Sequence, residues 1–182
     1  MMKKSEKVLY IAEGETEEKF IKYLIGDKFI QMGQFKKFNL MQNKLQKNNS
    51  LLAKKRDKIL AIIDTDCLEA ENIDRLISNI SLLKLLCSTK LYILVQNKNF
   101  EGELRYILNH KNLNEYFGLK NKTFRDLKVF LAQSVNYKNH ISSDNIKRYC
   151  CRFESFIDKL KQCKKAISEK MVVSVEICLI SR

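Results

Sequence analysis

Short apolar runs alternate with segments of helical periodicity along the first 110 residues. Three runs are apolar almost throughout and predict buried parallel strands, at 8–12, 59–63 and 90–95. After each run, apolar residues recur every three or four positions, which predicts helices over about 16–26, 73–83 and 100–109. This alternation is typical of an α/β fold, a mostly parallel sheet with helices on both faces.

Local signals also suggest where elements begin and end. We expect Thr16 to be the N-cap of the first helix, with Glu17 and Glu18 in the first turn, where negative charge favours the helix dipole. Gly26 is expected to end that helix. Residues 27–57 are less regular, and we predict a short strand over 36–41 and a polar loop over 42–49.

The chain changes character after residue 110. Apolar spacing predicts a helix around 124–131 and a long one over 146–163, and alternation over 171–179 predicts a last strand. There is no internal repeat and no Pro- or Gly-rich linker. We therefore predict one domain over 1–182, with a core at 7–110 and a helical C-terminal extension at 111–182.

Composition narrows the class of protein. The 182 residues are 45% hydrophobic and 30% charged, which is too apolar for a disordered chain. No apolar run approaches the roughly 18 residues of a membrane span, and the run at 8–12 is too short for a secretory signal. The six Cys and two His do not form zinc-ligand spacings, so free thiols are expected. These features predict a soluble, cytoplasmic protein without a membrane partner.

The net charge of +13 is unevenly distributed along the chain. Nine basic residues and one acid lie between Lys28 and Lys58, and fourteen basic residues and six acids between Lys111 and Lys170. The stretch between Ile59 and Leu76 has five acids and a single basic residue. A lysine-rich composition alone could produce the excess. The alternative is that basic flanks bind nucleic acid, with contacts expected from Lys36, Lys37, Lys54, Lys55 and Arg56.

Carboxylates follow the predicted strands. Glu13 follows the first, Asp64 and Asp66 the second, and Asn97 and Glu101 the third. The carboxyl ends of parallel strands form binding sites, and carboxylates that converge there suit Mg²⁺. Each acid also has a structural explanation, as a first-turn charge or a helix cap. Acids at three strand ends would nevertheless repel one another without a cation or proton. The chain has neither a P-loop nor a G-x-G-x-x-G motif, which disfavours a nucleotide hydrolase or a Rossmann dehydrogenase.

The sequence motifs at these strand ends resemble those of a known family. I-A-E-G-E-T-E-E-K-F at 11–20 and D-T-D at 64–66 resemble the Toprim domain of topoisomerases, DnaG-type primases and several nucleases. The first spelling is most similar to the OLD-family and RloB-like branch. Q-N-K-N-F-E at 96–101 resembles the N-P-x-F-E stretch of RloB-like proteins, with Lys98 where proline is usual. Residues 137–139 are weakly similar to a later Y-x-K segment, and the resemblance covers residues 7 to about 110.

The resemblance implies a Toprim-like fold and roles for individual residues. Glu13 would act as metal ligand or general acid/base. One or two Mg²⁺ or Mn²⁺ ions would have as ligands Glu13, Glu17, Asp64 and Asp66. The site would be supported by Gly14, Asn97 and Glu101. Lys138 is the candidate for a lysine that stabilises the transition state.

The resemblance also implies a function, a metal-dependent nuclease that hydrolyses phosphodiester bonds in DNA or RNA. RloB-like and OLD-type proteins are associated with bacterial defence against phage, often beside an ATPase, so a nucleic acid and an ATPase are the expected partners. A homodimer is compatible with the sequence. The alternative, from a different class, is a non-catalytic Toprim-fold module for nucleic-acid binding or assembly.

Overall fold

The computed structural model describes residues 7–46, 56–64, 66, 69–86, 90–96 and 98–146. The predicted last strand, nearly all of the predicted long helix, and three of the predicted site residues, Lys54, Lys55 and Asn97, lie outside these ranges. Among the described residues, no helix is long and apolar enough to cross a membrane.

Four parallel strands form a single sheet in the order β2-β1-β3-β4. Their bounds are Val8–Ala12 for β1, Gly33–Lys37 for β2, Lys58–Ile63 for β3 and Lys90–Val95 for β4. All five residues of β1 are buried because β1 lies inside the sheet, between β2 and β3. Since every pairing is parallel, all four carboxyl ends lie at the same edge.

Helices cover both faces of the sheet. The longer helices are α1 (Glu15–Gly26), α2 (Ala70–Leu86), α3 (Phe100–Leu108) and α5 (Phe124–Gln133), with a short α4 (Leu113–Tyr116) and a 3-10 helix (Tyr137–Asn139). Ile21 of α1 packs on Val8 and Tyr10. Leu83 of α2 packs on the opposite face. The predicted α/β class with a parallel sheet and helices on both faces is confirmed.

The segment that follows β4 adds a further layer of helices outside α1. Phe20 and Leu24, on the side of α1 away from the sheet, pack among Phe100, Leu127 and Tyr137. The ring of Phe20 lies 5.2 Å from that of Phe100 and 5.3 Å from that of Tyr137, centroid to centroid. Each fully buried aromatic or leucine side chain stabilises the fold by about 1.5–3 kcal/mol. This packing holds α5 beside the amino end of α1.

Two local predictions were wrong. The N-cap of α1 is Gly14 rather than Thr16, whose hydroxyl instead donates to the carboxylate of Glu17. The second strand occupies Gly33–Lys37 rather than 36–41. A Cβ at position 33 would lie 2.6 Å from the Tyr10 ring and 2.8 Å from the Val8 carbonyl oxygen, so glycine permits the close pairing with β1.

Candidate functional site

A cavity of about 300 Å³ opens at the carboxyl edge of the sheet. Residues that follow β1 and β3 line it, together with the first turns of α1 and α3 and the outer side of α5. Its charged side chains are Glu13, Glu15, Glu17, Lys37, Asp64, Glu101 and Lys128. A site at the carboxyl ends of parallel strands is where α/β folds usually bind ligands.

Strand register brings the two central acids to the same edge. Ile11 pairs with Ala61, so β1 and β3 run side by side and end at nearly the same level. Glu13 is the first residue after β1, and Asp64 is the first residue after β3. Glu101 reaches the cavity from the first turn of α3, which is capped by Asn99 accepting a hydrogen bond from the Gly102 amide at 3.0 Å.

The glycine after Glu13 makes room for a buried carboxylate. A Cβ at position 14 would lie 2.6 Å from Oε2 of Glu17, so a side chain there would collide with that carboxylate group. Glu17 is only 4% exposed, and the Thr16 hydroxyl donates a 2.9 Å hydrogen bond to the same Oε2 atom. The Glu-Gly-x-Thr-Glu motif therefore has a physical explanation: Gly14 leaves room for the Glu17 carboxylate at the start of α1, and Thr16 hydrogen-bonds it.

Burial and mutual repulsion raise the pKa values of these acids. Asp64 has its pKa raised to about 8, first by burial and then by the charges of Glu17 and Glu13. Burial is also the main cause of the raised pKa of Glu17. In Glu13, burial and the charge of Asp66 raise the pKa, while a hydrogen bond from Asn39 opposes the increase. The cavity therefore concentrates negative charge that favours protonation or a bound cation.

Glu101 is a buried acid with an unsatisfied carboxylate oxygen. It is 2% exposed, and among the described residues its Oε1 atom has no hydrogen-bond partner. The Nζ of Lys128 lies 3.7 Å from Oε1, beyond hydrogen-bonding distance. Burying a carboxylate that lacks hydrogen bonds destabilises the fold. The Oε1 atom is therefore available to a ligand that carries positive charge.

Two lysines and one asparagine join the acids. Lys128 lies on α5, and Lys37 at the end of β2 forms a 2.9 Å ion pair with Glu15. Asn39 follows β2; its Oδ1 accepts hydrogen bonds from the amides of Met41 and Gln42, both at 2.9 Å. This turn also positions the Asn39 side chain to hydrogen-bond Glu13. We did not predict Lys128 or Asn39, since nothing local distinguishes them from other Lys and Asn residues.

The predicted site residues separate into two groups. Those that line the cavity are Glu13, Gly14, Glu17, Lys37, Asp64 and Glu101. Asp66 is exposed and does not line the cavity, although its charge raises the pKa values of Glu13 and Asp64. Lys36 on β2 does not line the cavity. Arg56, which precedes β3, does not line it either, and its guanidinium donates a hydrogen bond to Gln34.

The expectation that Lys138 lies with the acids is not met. Its Nζ lies 3.5 Å from Oδ1 of Asp27, just beyond the carboxyl end of α1. Helix α1 has 12 residues, which separates its ends by roughly 18 Å at 1.5 Å per residue. Lys138 therefore lies near the opposite end of α1 from the acids, and the lysine beside them is Lys128 of α5.

The chemistry of the donors suits a hard divalent cation. Carboxylate oxygens are the ligands that Mg²⁺ and Mn²⁺ prefer, and the cavity of about 300 Å³ has room for an ion that keeps part of its hydration shell. The orphaned oxygen of Glu101 and the raised pKa of Asp64 support the same fit. Within the described residues, no group of three or more His, Cys, Asp or Glu side chains is placed so that it could hold a metal ion.

Comparison with protein-family models, curated proteins and solved structures finds no match for this chain. The sequence motifs and the geometry of the cavity are therefore what indicate a function.

Proposed function

We propose that this chain is a Toprim-type nuclease that hydrolyses phosphodiester bonds in DNA or RNA with Mg²⁺ or Mn²⁺. The observation that carries the proposal is the convergence of Glu13, Glu17, Asp64 and Glu101 on one cavity, with a lysine facing them. The fold itself does not require acids from separate elements to surround one cavity. Burial of each carboxylate and its repulsion by the others lower the stability of the protein.

The residues that would hold the cation are Glu13, Glu17 and Asp64, with Glu101 completing the set. A divalent cation bound there supplies Lewis acidity and a water of lowered pKa for phosphodiester hydrolysis. The protein orients its own ligands: Thr16 donates to Glu17, and Asn39 hydrogen-bonds Glu13. These contacts fix the carboxylates before any ligand arrives.

Lys128 would bind and orient the phosphate group. Its Nζ lies at the boundary of the cavity, near a buried carboxylate, and the side chain remains 52% exposed. A preorganised cation beside a phosphodiester stabilises the charge that develops on its oxygens during hydrolysis. Glu13, whose pKa is raised, is suited to hold or release a proton at the reacting group.

The resemblance to RloB-like and OLD-type proteins supports a biological context. We infer that the chain is an effector of bacterial defence against phage that works with an ATPase partner. Co-purification with a neighbouring ATPase, and loss of phage protection when Asp64 is changed, would test this inference. Protection that is unaffected by the change would contradict it.

The nuclease proposal is tested by incubating the purified protein with single- and double-stranded DNA and RNA, with Mg²⁺, Mn²⁺ or EDTA. We expect cleavage that requires a divalent ion. Asp64→Asn should lower its rate by about a hundredfold or more, because the variant removes a charge essential to the site. The matched control is Asp74→Asn, an exposed acid on α2, which should cleave like the wild type.

Two results would contradict the proposal. Cleavage that survives EDTA or Asp64→Asn would show that the carboxylate cavity is not the reaction site. Nucleic-acid binding without cleavage under any of these conditions, including in the presence of an ATPase partner, would favour the alternative, a non-catalytic binding module.

A further inference from the structure

The outward side of α5 combines exposed apolar surface with positive charge. Phe124 and Val129 are each 48% exposed, although both are large hydrophobic residues. Arg125 and Lys128 are exposed basic residues of α5, two further exposed lysines precede the helix at positions 120 and 122, and Asp126 is the one acid between 120 and 128. That acid is used locally: its Oδ2 accepts hydrogen bonds from the amide and the hydroxyl of Thr123, both at 2.8 Å, in a capping box. The surface is therefore basic as well as apolar.

Phe124 is close to the carboxylate cavity. The Nζ of Lys128 lies 5.1 Å from the centre of the Phe124 ring and 3.7 Å from Oε1 of Glu101. The ring centre is therefore within about 9 Å of Glu101 Oε1. A strand stacked on the ring would therefore have only this distance to cover to reach the acids. The aromatic ring and the acids could thus contact the same strand.

An exposed ring with basic neighbours is the arrangement that proteins use to bind unpaired bases. Every base has a flat face that stacks on an aromatic side chain, while lysines and arginines contact the phosphates. A base inside a duplex has both faces covered by its neighbours and exposes only its edges in the grooves. A ring used in this way would discriminate by strandedness, because only an unpaired base can stack on it.

We propose that α5 binds single-stranded nucleic acid, with one base stacked on Phe124 and phosphates along Arg125 and Lys128 that lead the strand to the carboxylate cavity. This inference rests on the proposed nuclease function and defines its substrate class. The charge of the surface favours a polyanion over a protein partner, because burying lysines and an arginine against an apolar surface would leave their charges unpaired.

Fluorescence anisotropy in EDTA, with labelled dT and U oligonucleotides and a blunt duplex of equal length, tests the inference without cleavage. We expect Phe124→Ala to weaken single-strand binding by about 5- to 150-fold, the loss of one stacked base, and Phe124→Trp to retain it. Duplex binding and binding to an oligonucleotide of abasic sites should not change. Tyr106→Ala is the matched control, another exposed aromatic residue, on α3 and outside the cavity lining.

Three outcomes would overturn the inference: an unchanged affinity of Phe124→Ala for single strands, an equal loss for duplex and abasic strands, or an altered oligomeric state or melting temperature in place of weaker binding. The last would mean that the ring is covered by protein.

The two proposals fail differently. Stacking on Phe124 without cleavage in Mg²⁺ or Mn²⁺ would contradict the nuclease alone. Metal-dependent cleavage that is indifferent to Phe124 and to strandedness would contradict the single-strand inference alone.

Discussion

Two carboxylate–lysine pairs near opposite ends of α1 have similar geometry and different surroundings. Lys128 lies 3.7 Å from Glu101, and Lys138 lies 3.5 Å from Asp27, measured from Nζ to the carboxylate oxygen. The Glu101 side chain is 3% exposed and the Asp27 side chain 29%. Distance alone would rank the two pairs equally, but burial separates them.

The difference shows where charge has a cost in this protein. An ion pair at the surface contributes about 0–1 kcal/mol, since water solvates both groups almost as well as they solvate each other. A buried carboxylate whose oxygens are not all hydrogen-bonded loses favourable hydration energy that its remaining contacts do not fully replace. Glu101 shares its cavity with Glu17 and Asp64, so the amino end of α1 stores repulsion that a bound cation could remove.

The largest expected effect is the difference in cleavage rate between variants of Lys128 and Lys138. Lys128→Ala should slow metal-dependent cleavage by about 10²- to 10³-fold, because it removes a preorganised cation beside the phosphate. Lys138→Ala should leave the rate within about twofold, since its partner Asp27 is beyond the other end of α1. Single-turnover rates measure both. A larger loss in Lys138→Ala than in Lys128→Ala would reverse our assignment of the site, and partial recovery by Lys128→Arg would support it.

Cation binding should stabilise the buried end of α1. Mg²⁺ or Mn²⁺ at a hundred times its dissociation constant should raise the free energy of unfolding by about 2.7 kcal/mol, because it binds the folded state. Thermal melts at pH 8 give the measurement. Asp74→Asn should retain the increase and Asp64→Asn should lose most of it. An equal increase in both variants would show that the ion binds elsewhere.

The pH dependence of stability should follow the raised pKa of Asp64. The folded protein binds this proton more tightly than the unfolded chain, with a pKa of about 8 against 3.8. Stability is therefore greatest below about pH 4 as far as this group is concerned, and it falls as pH rises towards about 8. Glu13 and Glu17 act in the same direction.

Melting temperatures from pH 5 to 9 without divalent ions check this pH dependence. Asp64→Asn should flatten the decrease, because asparagine has no proton to release. A wild-type protein whose melting temperature rises across this interval would contradict the expectation.

The smallest effect belongs to the exposed pair. A double-mutant cycle of Asp27→Asn and Lys138→Ala, measured by urea unfolding, should give a coupling energy of about 0.2–1 kcal/mol. High salt should reduce it. A coupling energy above about 2 kcal/mol would mean that exposure does not distinguish the two pairs.

Much of the α/β framework could be predicted because its signals are local. Strand β3 (Lys58–Ile63) is an almost continuous apolar run, and the face of α3 that carries Leu104 and Ile107 has helical spacing. Strand β2 could not be placed, because an edge strand with the sequence G-Q-F-K-K is not apolar and its pairing depends on the absence of a Cβ at Gly33.

The sequence also showed no sign of the role of Asn79, which is one of the most buried polar residues. Its side chain accepts a 2.7 Å hydrogen bond from the Leu45 amide and donates to the carbonyls of Leu40 and Asn43, which holds the loop after β2.

The sequence by itself determined that Glu13 and Asp64 meet at one edge of the sheet. Glu13 and Asp64 are the first residues after their strands, and parallel pairing brings strand ends to one edge whatever the details of packing. The tertiary structure alone decided which basic residue faces them. Lys128 and Lys138 are both lysines of the same C-terminal segment, and only the packing of α5 on α1 brings one to the cavity and leaves the other beside Asp27. Contacts between elements distant in sequence depend on the whole core, and no local pattern encodes them.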